Sequence, residues 1–155
     1  MRTQTINRGT AATKSTTALA GLCAGTTVMT MTGEVRVEDL APGDRIITRD
    51  AGMAVLRDVR TRTVTARPIR IKAGSLGHTR PDRDMIVLPG TLVHIRDWRA
   101  EALFGTRTAL VEADRLVDGE FLALQDKQTL TAHDLVFDRQ HILYADGVEV
   151  ASAAV

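Results

Sequence analysis

Apolar and polar positions alternate in short runs along most of this chain, with turn residues between them, and that texture predicts strands rather than helices. "TTVMTMTGE" predicts a strand running into a turn at Gly33. Val35 and Val37 then alternate with charges, and Pro42-Gly43 predicts a type II turn, in which Pro presets φ and Gly accepts the positive φ that follows. "DRIITRD" predicts a short strand closed at Asp50 to Gly52. "MAVLRDVRTRTVTA", with Val55, Val59 and Val64 among polar residues, predicts one long, exposed, twisted strand. "PIRIKAG" alternates cleanly before a loop over 74–82, and "DMIVLPGTLVHIRDW" predicts two strands broken at Pro89-Gly90. "RAEALFG" and "VEADRLV" predict a helical turn or two each. "HDLVFD" and "HILYADGVEV" predict strands, with Asp146-Gly147 as a type I′ hairpin turn. The fold class is all-β, with many short strands and little helix.

The first residues break this pattern. From Met1 the chain is rich in Thr, Ser and Ala without periodicity, which predicts a flexible leader over residues 1–22 and one folded domain over 23–155. A length of 155 residues fits that single domain. Aromatic residues make up 3% of the chain, so Val, Leu, Ile, Ala and Met must build the core. No apolar run approaches the ~20 residues of a membrane span, and with no secretory signal the default compartment is cytoplasmic.

Net charge is +1, which argues against bulk nucleic acid as a partner. Only Lys14, Lys72 and Lys127 are lysines, so arginine dominates the basic set, and seven arginines fall between Arg57 and Arg83. No aromatic residue interleaves with them to stack a base, while Asp58, Asp82 and Asp84 do interleave. The run reads as the wet face of exposed strands.

Cys23, the only cysteine, sits in "LAGLCAGT". Lipidation is argued against by Leu22, which is not small, and by "ALAGL", which is shorter than the ~7–15 apolar residues of a signal h-region. Two readings stay open: an inert buried thiol, or a nucleophile that needs a base or a positive neighbour. The candidate bases are His78, His94, His133 and His141. His133 and His141, eight apart, do not suggest ligands on one face. One cysteine, no paired-histidine motif, no Gly-rich phosphate loop and no GxSxG elbow give no cause to expect a metal or cofactor.

From Cys23 onward the order of motifs resembles a Hint (Hedgehog/intein) domain of the short, stand-alone bacterial type. "CAGTTVMTMTGEVRVEDLAPGDRIITRD" matches the opening of that module. The likeness continues through "RPIRIKAGSLG", "DMIVLPGTLVHIRDWRAEALFG" and "LVDGEFL" to "VFDRQHILYADGVEV". The resemblance implies an all-β horseshoe in which Cys23 attacks the carbonyl before it. An N–S acyl shift would then turn the Leu22–Cys23 amide into a thioester, with the chain's own N-terminal segment as substrate. In the family a Thr-x-x-His block assists this step. Thr91 and His94 have that spacing, whereas an ungapped match puts the family's histidine on Thr91. The late block resembles Asp-Arg-His and reads Asp138-Arg139-Gln140-His141 here, which makes Asp138 and His141 further candidates and turns His141 to the face opposite Gln140. Splicing needs a C-terminal asparagine, and the only asparagine is Asn7; Ser152 stands at the matching position. The resemblance thus implies N-terminal cleavage without splicing. The alternative is a catalytically degenerate Hint fold serving as a binding or structural module.

Overall fold

A computed structural model describes residues 20–77 and 79–153 of the chain. Most of the predicted leader and His78 lie outside the described residues. Among the described residues, fourteen antiparallel strands build two sheets. In chain order they are β1 (Leu22–Cys23), β2 (Thr27–Thr30), β3 (Gly33–Arg36), β4 (Arg45–Thr48), β5 (Gly52–Val55), β6 (Asp58–Ala66) and β7 (Ile69–Ile71). There follow β8 (Met85–Val87), β9 (Leu92–Ile95), β10 (Ala109–Glu112), β11 (Leu122–Leu124), β12 (Gln128–Val136), β13 (Ile142–Ala145) and β14 (Val148–Ala151). Among the described residues one short α-helix, α1 (Trp98–Phe104), begins at Asp97, whose carboxylate accepts the Arg99 N–H, and stops at Gly105 in the left-handed region. The all-β expectation holds. Among the described residues no helix is long and apolar enough to cross a membrane.

The first sheet runs β11-β7-β8-β1-β12-β6, and the second runs β10-β9-β14-β13-β2-β4-β5 with β3 beside β2. The stretch over residues 53–66 is not one strand. It breaks at Leu56, which is 1% exposed and sits in the core, so β5 joins the second sheet and β6 the first. A single apolar residue needing burial overrides the local β pattern there. The expected hairpin at Asp146-Gly147 is present, with φ of +48° and +85° as a type I′ turn requires. Nor is the arginine run wholly a wet face: Arg62 and Arg80 are half-buried and carry specific contacts.

The shared core is aliphatic, built on Val28, Ile46, Ile69, Val87, Val93 and Leu143, each fully buried. Into it β1 is threaded as an inner strand: Leu22 pairs with Val87 of β8 on one side and with His133 of β12 on the other. The "VEDL" block fixes the chain just downstream. Val37 donates its N–H to the Thr26 carbonyl at 2.8 Å, and the Glu38 carboxylate accepts the Gly25 N–H at 2.8 Å. That backbone hydrogen bond is the main reason the Glu38 carboxyl is held below its ordinary range.

Candidate functional site

Leu22 and Cys23 are 5% and 4% exposed, so the candidate scissile bond lies inside the sheet. Gly21 and Gly25, with φ of +143° and +93°, bend the chain on either side of it. Directly opposed residues of an antiparallel pair share a face, and successive residues alternate. Leu22 therefore projects with His133, while Cys23 projects the other way, with Ala132 and with Arg62 on β6 beyond it. The thiol and the imidazole thus belong to opposite faces of the same peptide.

Burial pushes the Cys23 thiol up to about 11. At pH 7 only about one thiol in ten thousand is then ionised. A preformed thiolate is scarce, and the sulfur's proton has to move during any attack.

On the Leu22 face lies a cavity of about 160 Å³, lined by Ala20, Gly21, Leu22, Thr91, His133, Gln140 and Ser152 among others. It is largely apolar with a few convergent polar groups, as sites that bind or process a ligand commonly are. His133 is 6% exposed, and neither of its ring nitrogens has a hydrogen-bond partner. An unpaired buried polar group costs about 1–3 kcal/mol, so a folded protein rarely carries one without use or a bound water. The sequence offers His133 as one of four candidate bases and holds nothing that sets it apart from His78, His94 and His141. Its neighbour across the sheet is over a hundred residues away in the chain, and register of that kind leaves no local signal.

The other expected site residues are placed as follows. Thr91 is buried beside Gly21; its hydroxyl accepts the Gly21 N–H and donates to the Gly21 carbonyl, both at 3.1 Å. The hydroxyl is therefore engaged with the peptide one step before the candidate scissile bond. His94 on β9 lies elsewhere, with its Nδ1 2.7 Å from the Glu149 carboxylate. Glu149 is buried and is also met by Arg49, Arg80 and Arg96. Burial alone would raise the Glu149 carboxyl, but hydrogen bonds from His94 and Arg96 and the charge of Arg49 hold it below its ordinary range. His94 and Arg96 line a separate cavity with Glu149, away from Leu22.

His141 is buried too, with Nδ1 3.0 Å from Asp50 and Nε2 3.5 Å from Asp138, whose side chain is largely exposed. Burial pushes the Asp50 carboxyl up, yet the Ile142 N–H and His141 together bring it below its usual range. His141 and Asp138 line a third cavity with Arg57 and Met53, whereas Gln140 faces the one beside Leu22. The expectation that His141 turns away from Gln140 matches this placement. Both residues lie in the irregular link between the bend at Asp138-Arg139 and β13, so strand alternation is not what separates them. Leu22, Thr91 and His133 thus line one cavity, with the Cys23 side chain on the opposite face of the same strand, while His94, Asp138 and His141 are placed at two other clusters. Among the described residues no three His, Cys, Asp or Glu side chains are grouped as a metal site would need.

A family model described as a Hint domain matches residues 20–154. No curated protein is matched. The fold is similar to the solved intein-like domain of Clostridium thermocellum, at 15% identity and a TM-score of 0.54, covering 86% of this chain and 98% of that one. It is also similar to a DnaB intein from Synechocystis sp. PCC 6803, at 9% identity and a TM-score of 0.57, covering 86% and 99%. The gp41-1 intein is similar at 12% identity and a TM-score of 0.51, covering 84% and 97%. At such identities the likeness is one of fold.

Proposed function

Because this chain belongs to the Hint domain family, we propose that it is an autoprocessing domain that cleaves the Leu22–Cys23 bond and sheds residues 1–22. The observation that carries the reading is the unpaired, buried His133 directly across the sheet from Leu22.

Cys23 Sγ attacks the Leu22 carbonyl carbon, forming the S–C bond while the C–N bond breaks. The thiol proton passes from sulfur to solvent, and a proton arrives on the departing nitrogen, which becomes the α-amine of Cys23. The net change is amide plus thiol to thioester plus amine, with no proton gained or lost. His133 supplies the proton to the nitrogen from the face opposite the thiol and is reprotonated through solvent. An imidazole suits this role because it gives and takes protons near neutrality. The cavity beside His133 has room for more than one water, so the same pocket can hold the water that hydrolyses the thioester. Hydrolysis yields the Leu22 carboxylate and restores the Cys23 thiol.

Because burial raises the thiol pKa, taking the proton off sulfur is a demanding part of the step. A single placed acid or base contributes about 10²–10⁴ in rate. Wild-type chain incubated at neutral pH with hydroxylamine is expected to lose its first 22 residues, and Cys23→Ala to stay whole. Wild type and Cys23→Ala cleaving alike would sink the proposal.

A further inference from the structure

The three residues before Cys23 are each held by a different device. The half-buried Arg62 guanidinium donates to the Ala20 carbonyl. The same guanidinium is set by Asp134, with Nε 3.1 Å from Oδ2 and the terminal nitrogen 3.5 Å from Oδ1. Gly21 has both its N–H and its carbonyl on the Thr91 hydroxyl. The Leu22 side chain is buried in the main core between Val87 and His133.

Gly21 is the narrow point. A Cβ there would lie 3.1 Å from Asp134 Oδ1, 3.2 Å from Ala132 Cβ and 3.5 Å from the Arg62 terminal nitrogen. Its φ of +143° is one that L side chains rarely adopt. A side chain at this position therefore meets strain and also the carboxylate that orients Arg62.

We propose that Arg62, Asp134 and Thr91 form a recognition subsite for the segment being shed, which demands glycine two residues before the cysteine and takes a large aliphatic residue immediately before it. The catalytic consequence rests on the cleavage reading above; the grip on the segment does not. All three gripped residues depart with the leader, so the contacts select the acyl group. The substrate class is a peptide ending in Gly followed by an aliphatic residue. Arg62 and Asp134 act as positioning residues: they fix the acyl segment and do not touch the reacting atoms.

The test uses the full chain with two readouts. Cleavage rate in hydroxylamine is measured for wild type, Gly21→Ala, Arg62→Gln and Arg62→Lys. Amide hydrogen exchange at Gly21 and Leu22 is measured for the same set in the uncleavable Cys23→Ala background, with Leu135 as a reference for global folding. Gly21→Ala is expected to cleave about 10²-fold more slowly, as a misplacement near 1 Å commonly costs. Its Gly21 and Leu22 amides should exchange faster while Leu135 stays protected. Arg62→Gln should behave similarly, and Arg62→Lys, which still reaches a carbonyl, should recover part of both. Cleavage at the wild-type rate with protection retained in Gly21→Ala and Arg62→Gln overturns the subsite and leaves the cleavage reading standing. A wild type that never cleaves overturns the cleavage reading; exchange alone then decides the subsite, lost protection supporting it and retained protection overturning it. If Leu135 also loses protection in Gly21→Ala, the Arg62 pair decides on the same criteria, because neither variant adds a side chain to β1.

Discussion

Two buried regions of this molecule treat a histidine in opposite ways. Around Glu149, in the second sheet, His94 and three arginines converge on one carboxylate. Across from Leu22, in the first sheet, His133 has no partner at either nitrogen, and burial alone governs the thiol one residue along. The second region is paid for by the rest of the fold. The saturated cluster is stabilising in character: each of its side chains has a partner in the shared carboxylate. The unsatisfied pair is where a proton can be given or taken, and it flanks the Leu22–Cys23 peptide, the bond proposed to be cleaved.

The largest effect that would sharpen this contrast is kinetic. His133→Gln, close in size and able to hydrogen-bond but not to titrate, should slow cleavage about 10²-fold or more. Rates within threefold of wild type would mean that the unpaired imidazole plays no part. On the saturated side, Glu149→Ala should lower the free energy of unfolding by about 3 kcal/mol, since it strands three arginines that are each about one-third exposed. Urea denaturation measures that loss, and a change under 1 kcal/mol would show the cluster to be no hub.

A smaller effect, about 2–3 kcal/mol, comes from Cys23 at alkaline pH. Its folded pKa is raised from the ordinary 9.0 to about 11, so the folded state keeps a proton that the unfolded chain gives up. The stabilisation is fully present below pH 9 and is lost as pH rises toward 11. Cys23→Ala lacks this titration, so the stability gap between wild type and variant should move against wild type across that window. A gap independent of pH would mean that the thiol is not desolvated.

Much of the architecture is legible in the sequence. The strands around Gly33, Pro42-Gly43 and Asp146-Gly147 follow from turn chemistry that acts over a few residues. That the chain after Cys23 forms the domain is legible through the motif order, whereas Leu22 as part of β1 and of the core is not. The rest depends on long-range pairing. Leu56 splits an apparently continuous strand because the core needs a side chain there. His133 acquires its meaning only once β12 lies beside β1, and Arg62 only once β6 lies beside β12. His94 and His141 look equally eligible in the sequence, and the carboxylates that occupy them, Glu149 and Asp50, lie 55 and 91 residues away along the chain.

The most direct measurement is the mass of the fragment released from purified wild-type chain by hydroxylamine at neutral pH. A thioester at Leu22 predicts a fragment of residues 1–22 carrying a C-terminal hydroxamate, together with a domain that begins at Cys23 with a free amine. A chain that stays full length, or one cut at any other bond, would contradict the account.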